Sequence, residues 1–104
     1  MKLNYTQMGE GDTAIIFLHG VCMSSRFFQK QIKLAHEKLS FYFVDFPSHG
    51  DSEVFFTGNT INAYAHQLRS LILSYDLKQV VFVGWSMGAL VAWEYLLNFG
   101  DEGI

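Results

Sequence analysis

The segment VVFVGWSMG at residues 80–88 decides the predicted fold, because it joins an apolar strand to the start of a helix around a single serine. Its first four residues form a short continuous apolar run, which is typical of a strand covered on both faces. The next five match the pattern G-x-S-x-G. Glycines at 84 and 88 leave room for neighbouring chain, so Ser86 is predicted in a strained turn with its hydroxyl clear of the sheet. At a helix N-terminus, that hydroxyl would lie where free N–H groups favour negative charge.

The rest of the chain repeats this alternation of short apolar runs with helical periodicity. The predicted strands are a weak one at Leu3–Met8 and buried ones at Ala14–Leu18, Phe41–Val44 and Val80–Val83. The predicted helices are Arg26–Leu39, a second with its apolar face on Ile61, Ala65, Leu68, Ile72 and Tyr75, and a third from Ser86 to Asn98. Strands that alternate with helices of this length predict an α/β fold, a mainly parallel sheet with helices on both faces. We expect about five strands and three helices.

Composition excludes several classes of protein. The 104 residues form at most one domain, and a 50% apolar content with a net charge of −3 excludes disorder. Acidic residues outnumber basic ones 10 to 7 without a basic run, so no nucleic-acid partner is expected. No apolar stretch reaches the ~20 residues of a membrane span, and the first residues lack the apolar region of a signal peptide. The single cysteine, Cys22, indicates a reducing compartment, and we expect a cytoplasmic protein.

Three motifs together resemble those of the α/β-hydrolase family. FLHG at 17–20 is similar to the end of that family's third strand and its oxyanion loop. DFPSHGDS at 45–52 is similar to the loop that follows its fourth strand, although Ser48 stands where the family pattern has glycine. GWSMG at 84–88 is similar to its nucleophile elbow. The resemblance covers the whole chain but only the N-terminal half of the family's fold.

The resemblance implies a serine hydrolase of the esterase, lipase and haloperoxidase-like branch. Ser86 would be the nucleophile, and the backbone N–H groups of Val21 and Met87 would form the oxyanion hole. Gly20, together with the two glycines of the elbow, would shape the site. A serine at 86 argues against the epoxide hydrolase and haloalkane dehalogenase branches, which use a carboxylate. The expected substrate is a small-molecule ester or thioester, with neither a cofactor nor a metal.

One departure from the family pattern affects the predicted chemistry. The family places its acid and its histidine after the nucleophile, yet no histidine follows Ser86 here, and the later acids are Glu94, Asp101 and Glu102. We therefore expect residues 1–104 to be the N-terminal portion of a hydrolase domain that ends before the sixth strand, an incomplete α/β-hydrolase fold. Val80–Val83 would then be an edge strand, open to self-association or to pairing with a C-terminal half. The alternative is a non-catalytic α/β module, a pseudoenzyme or strand-pairing partner.

Several other polar residues have a structural and a functional interpretation, and we favour the structural one. His19, His49 and Asp45 are expected to have structural roles in loops. The functional alternative for His19 is a base beside the oxyanion hole, and that for Asp45 is a catalytic acid. His36 and His66 are expected at the surfaces of helices. Cys22 is expected to act as a small apolar residue rather than as a reactive thiol.

Two further predictions concern apolar and glycine positions. Four apolar residues could either line an acyl pocket or pack in the core, and the sequence favours neither role: Met23, Phe46, Trp85 and Met87. The spacing of Gly9, Gly11 and Ala14 fits the letters of a dinucleotide fingerprint, but it precedes a strand, so we expect a hairpin turn.

Overall fold

A computed structural model describes residues 3–35 and 38–104 of the chain. Its elements, in chain order, are β1 (Asn4–Met8), β2 (Thr13–Leu18), a 3₁₀ helix (Ser25–Leu34), β3 (Leu39–Asp45), α1 (Ile61–Ser74), β4 (Gln79–Gly84) and α2 (Met87–Phe99). The apolar runs predicted as strands lie within β1 to β4, and α1 and α2 match the predicted second and third helices within a residue or two.

The strands form one mixed sheet in the order β1-β3-β2-β4. β2 pairs in parallel with both β3 and β4, and β1 pairs with β3 in the antiparallel direction. The prediction of a mainly parallel sheet with helices on both faces is confirmed. The described residues hold four strands, so the expectation of about five was one too many.

The prediction of a hairpin at Gly9 and Gly11 was wrong. β3 lies between β1 and β2, so these two strands are connected in sequence without pairing. The connection packs against the start of β3 instead. A Cβ atom at Gly11 would lie 1.8 Å from the carbonyl carbon of Lys38, and the Gly11 carbonyl accepts a hydrogen bond from the Ser40 hydroxyl.

The first predicted helix is shorter than expected and is a 3₁₀ helix. It ends at Leu34, whereas Leu39 is the first residue of β3 and pairs with Thr13. A 3₁₀ helix has three residues per turn, so side chains four apart drift off a common face. This is why Phe28 is buried while Ile32 remains 37% exposed. His36, predicted on this helix, lies outside the described residues, and His66 on α1 is exposed as predicted.

The two faces of the sheet carry separate apolar clusters. α1 and α2 cover one face through Leu68, Ile72, Val91 and Tyr95, which pack on alternate strand residues such as Ile16. The 3₁₀ helix covers the other face through Phe28, which packs with the strand side chains Phe17, Phe41 and Phe43. Because successive strand residues point to opposite faces, the central strands β2 and β3 each contribute to both clusters.

One side of the molecule has little cover. β4 is an edge of the described sheet, and Val81 and Val83 are 45% and 37% exposed. On α2 the exposed apolar side chains are Leu90, Trp93 and Leu97. In the part of the chain that the structure describes, no helix has the length and apolar character to cross a membrane.

Candidate active site

Ser86 lies at the junction between β4 and α2, with an unusual backbone conformation. Its φ of 53° and ψ of −112° fall where residues other than glycine are rare. The residue is the N-cap of α2, but its hydroxyl makes no capping hydrogen bond, and it is exposed. A serine at an ordinary N-cap accepts a hydrogen bond from a backbone N–H in the first turn of the helix. The Ser86 hydroxyl does not have this structural role.

The glycines on either side of Ser86 are required by close backbone approach. A Cβ atom at Gly88 would lie 2.0 Å from the Leu18 carbonyl oxygen, and one at Gly84 would lie 2.7 Å from the Ala89 nitrogen. The N–H of Trp85 donates to that same Leu18 oxygen at 3.0 Å. The end of β2 therefore leaves no room for a side chain at 88, and the first residues of α2 leave none at 84.

The loop after β2 meets this turn. A Cβ atom at Gly20 would lie 3.5 Å from the Ser86 Cβ and 3.2 Å from Trp85 Cδ1, so Gly20 lies close to the serine turn. Beyond it, the N–H of Met23 donates to the Gly20 carbonyl at 3.2 Å. Of the two central residues of that turn only Cys22 has a positive φ, 60°, as a type II turn requires. The structure thus brings Gly20 beside Trp85 and Ser86; Val21 is the next residue after Gly20, and Met87 is the next residue after Ser86.

Cys22 is exposed at the tip of the turn and has a positive φ. Its expected role as a small apolar residue rather than a reactive thiol stays a prediction. The turn needs a residue that tolerates the left-handed conformation, and this constraint is backbone geometry that the residue type alone does not reveal.

His19 is fully buried at the end of β2 and both ring nitrogens have partners. Nδ1 lies 2.7 Å from the Gly20 carbonyl oxygen, and Nε2 accepts from the Phe46 N–H at 3.1 Å. Burial lowers the pKa of His19, with the nearby His49 acting in the same direction; the Gly20 carbonyl and the Asp45 charge oppose them. The ring is therefore occupied by loop contacts, as the structural interpretation predicts, and has no free nitrogen to serve Ser86 as a base.

His49 has a similar position in the loop after β3. Its Nδ1 lies 3.0 Å from the Pro47 carbonyl oxygen, and its ring centroid is 5.1 Å from that of His19. The expected role as a turn residue is confirmed by this local contact.

Asp45 organises the loop that follows β3, as predicted. Its carboxylate accepts from the Asn4 side-chain amide at 3.0 Å and from the backbone N–H groups of Ser25 at 2.7 Å and Asp51 at 3.1 Å. Burial alone would raise the pKa of Asp45, but these donors outweigh it and lower the pKa below its usual value. Asp45 is 2% exposed, and its carboxylate connects three segments of the chain through the hydrogen bonds from Asn4, Ser25 and Asp51.

Three of the four candidate pocket residues divide between the two interpretations, and the fourth, Met23, is partly buried. Phe46 is fully buried in the core, and Met87 packs against the same core cluster. Trp85, in contrast, is 55% exposed beside Ser86, and its ring centroid lies 5.7 Å from that of Phe27. Sequence reasoning missed Phe27; the only available signal was that Phe28 faces the core, which leaves its neighbour pointing elsewhere.

The turn at Ser86 and the loop that contains Gly20 follow the carboxyl ends of the parallel strands β4 and β2, which is where ligands bind in open α/β sheets. Residues 15–103 match the family model described as the alpha/beta hydrolase family. The chain belongs to this family. The match includes every candidate site residue named above from Gly20 to Gly88.

Relatives and solved structures of this alpha/beta hydrolase include esterases. A pimeloyl-[acyl-carrier protein] methyl ester esterase from Vibrio vulnificus is 27% identical over 99 residues, which cover 95% of this chain and 36% of the relative. The structure of an esterase from Exiguobacterium antarcticum superposes with a TM-score of 0.90 at 27% identity, covering 97% of this chain and 38% of that one. The epoxide hydrolase CorEH superposes with a TM-score of 0.87, also at 27% identity, covering 96% of this chain and 35% of that one. The chain therefore spans about a third of the length of the relatives it matches.

Metal-binding side chains do not gather at this site. Across residues 3–35 and 38–104, no group of three histidine, cysteine or acidic side chains lies close enough together to hold a metal ion.

Proposed function

We propose that this chain carries the nucleophile and the oxyanion hole of a serine hydrolase that acts on ester or thioester bonds of a small acyl substrate. The backbone of Ser86, with its φ of 53° at the start of α2, is the observation that carries the proposal. This strained conformation costs about 1–3 kcal/mol, and a plain helix cap does not need it. It is explained if the turn serves to present an exposed hydroxyl.

In the proposed reaction Ser86 Oγ attacks the carbonyl carbon of the substrate. The N–H groups of Val21 and Met87 donate hydrogen bonds to the oxygen that becomes negative, and one such donor is typically worth ~10²–10³ in rate. The alcohol or thiol leaves with a proton, and water then hydrolyses the acyl-serine. Gly20 supports this arrangement because a Cβ atom there would lie 3.0 Å from Met23 Sδ and 3.2 Å from Trp85 Cδ1, which is closer than ordinary van der Waals contact.

The serine proton must pass to a general base, and we propose that a histidine outside residues 1–104 accepts it. No histidine follows Ser86 in this sequence, and both nitrogens of the nearby His19 are engaged in loop contacts. In this proposal the chain is the N-terminal portion of a hydrolase domain, and the acid and the histidine belong to the remaining portion. The chain alone is then expected to turn over very slowly.

The exposed aromatic pair of Trp85 and Phe27 supports an apolar acyl group as the part of the substrate that lies beside Ser86. Their ring centroids are 5.7 Å apart and both side chains are about half exposed. Aromatic surface of this kind gains free energy when an alkyl chain covers it. The cytoplasmic location expected from the single cysteine stays a prediction.

Chemical rescue tests this function, because Ser86 is exposed and added imidazole can reach it. Hydrolysis of p-nitrophenyl esters by the chain would be measured with increasing imidazole, after subtraction of the reaction in buffer and imidazole alone. We expect a rate that rises with imidazole, is lost in Ser86→Ala and is retained in Ser24→Ala, a matched serine at the N-cap of the 3₁₀ helix. Equal rates in Ser86→Ala and the unsubstituted chain would contradict the proposal.

The open edge of the sheet supports a second proposal, that the isolated chain associates with itself through β4. β4 pairs on one side only with another strand, although the Val80 N–H already donates to the Gly103 carbonyl at 2.7 Å. Unpaired backbone groups flanked by exposed valines favour pairing with another strand. A C-terminal half of the domain would compete for the same edge.

Light scattering coupled to size-exclusion chromatography tests this association. We expect a mass above the 11.9 kDa of one chain, and a return toward that value in Val81→Lys. Phe56→Lys is the matched control, since Phe56 is 98% exposed on the loop after β3. A monomer at high concentration would rule out the association.

A further inference from the structure

The buried ring of His19 connects the two loops that follow β2 and β3. Its Nδ1 lies 2.7 Å from the carbonyl oxygen of the next residue, Gly20, and its Nε2 lies 3.1 Å from the backbone nitrogen of Phe46. The residue has no solvent exposure, and its ring also contacts the Phe46 ring at a centroid distance of 4.9 Å. Nothing in the proposed reaction uses this ring directly.

The two partners determine where the proton of the neutral imidazole is. A carbonyl oxygen can only accept a hydrogen bond and a backbone N–H can only donate one. Nδ1 must therefore carry the hydrogen toward Gly20, and Nε2 must present its lone pair to Phe46. Burial favours this neutral form because it lowers the pKa of His19. The charged and titratable groups around the ring are His49, which also lowers this pKa, and Asp45, which raises it.

The bond to the Gly20 carbonyl has a consequence for the following N–H. The carbonyl of Gly20 and the N–H of Val21 belong to one planar peptide group and point in opposite directions. The Gly20 oxygen is held by His19 Nδ1 and by the Met23 N–H at 3.2 Å. The Val21 N–H is consequently directed away from the buried ring. Its peptide begins at Gly20, which lies close to Ser86.

We propose that His19 is a positioning residue, whose Nδ1–H fixes the plane of the Gly20–Val21 peptide and so aims the Val21 N–H into the oxyanion hole. The inference rests on the proposed function, because it assigns a cause to the orientation of one of the two proposed donors. The second donor, the Met87 N–H, belongs to the first turn of α2 and is set by the helix instead.

Nuclear magnetic resonance of the 104-residue chain tests this without any reaction at Ser86. An asparagine at 19 places an amide N–H near the position of Nδ1, whereas a glutamine places its polar group near Nε2. We expect the order parameter of the Val21 N–H to stay near the rigid value of about 0.85 in His19→Asn and to fall below about 0.6 in His19→Gln. Its residual dipolar coupling should be retained in the first variant and lost in the second, while Met87 keeps both values throughout.

An unchanged Val21 N–H in His19→Gln would overturn the inference, as would equal changes at Val21 and Met87. If the substitutions at this buried position prevent folding, the imidazole ¹⁵N shifts of the unsubstituted chain decide: a hydrogen on Nε2 would overturn it, and one on Nδ1 supports it. Because these measurements need no turnover, they are separate from the rescue experiment. The two outcomes can therefore differ. If imidazole does not restore ester hydrolysis but the Val21 N–H is rigid and depends on His19, only the proposed function is rejected.

Discussion

Replacing Ser86 with glycine should make the chain more stable while removing the proposed nucleophile. At φ 53° and ψ −112° the serine stores about 1–3 kcal/mol of backbone strain, which glycine does not experience. Glycine also increases the conformational entropy of the unfolded chain, which lowers the free energy of unfolding by about 0.4–1 kcal/mol. The expected net gain in the free energy of unfolding is the difference of these ranges, about 0–2.6 kcal/mol with a midpoint of about 1.3 kcal/mol. Since the Ser86 hydroxyl makes no capping bond, Ser86→Ala should lie within about 0.5 kcal/mol of the unsubstituted chain.

Urea unfolding with linear extrapolation measures these differences. Ser24 provides the matched control, because it is also a helix N-cap but has an ordinary φ of −151° and accepts a hydrogen bond from the Arg26 N–H. Ser24→Gly should therefore lose a few tenths of a kcal/mol, roughly, where Ser86→Gly gains. If Ser86→Gly were no more stable than Ser86→Ala, the strain assigned to this turn would be refuted.

Three further perturbations follow from the contacts described above. Gly88→Ala should lower the free energy of unfolding by about 3 kcal/mol or more, because the new Cβ would lie 2.0 Å from the Leu18 oxygen; a loss below about 1 kcal/mol in urea unfolding would contradict this. Arg69→Leu should cost about 1–3 kcal/mol, because the hydroxyl of the fully buried Tyr95 loses its donor at 3.0 Å. Adding Tyr95→Phe should recover most of that loss in a double-mutant cycle, and additive losses would reject the explanation. Finally, burial lowers the folded pKa of His19 below its ordinary 6.5, so the unfolded chain binds that proton more readily and stability falls as the pH drops below 6.5. Urea unfolding on both sides of that pH should show a smaller fall in His19→Asn, and an equal fall would contradict the shift.

Local patterns in the sequence were sufficient for the elements that surround Ser86. The apolar runs of β2 and β4 are bounded by turn residues, and this was enough to locate both strands. The prediction that residues 80–83 are buried on both faces was wrong, because β4 is an edge of the described sheet and Val81 and Val83 are exposed. The glycines at 84 and 88 indicated a tight turn, and the structure gives the reasons in the backbone of Ala89 beside Gly84 and the Leu18 carbonyl beside Gly88. These features depend on residues close together in sequence, which is why they could be predicted.

Features that depend on distant partners were not predictable in the same way. Nothing in the residues of β1 indicates that Asn4 pairs with Asp45, so a hairpin with β2 was expected where β3 intervenes. The first helix ends early because Leu39 joins the sheet opposite Thr13, a tertiary contact that overrides helical periodicity. Ser48, which stands where the resemblance implies glycine, adopts a φ of 65° and accepts a hydrogen bond from the Phe55 N–H at 2.8 Å. The hydrogen bond offsets the backbone cost at a position that the pattern alone marked only as a departure.

The most direct test of the central claim is to locate the bond that a fluorophosphonate forms with the chain in the presence of imidazole, by mass spectrometry of its peptides. The account predicts a phosphonyl group on Ser86, formed at a rate that increases with imidazole and absent from Ser86→Ala. Modification of another residue in preference to Ser86, or modification that imidazole does not accelerate, would contradict it.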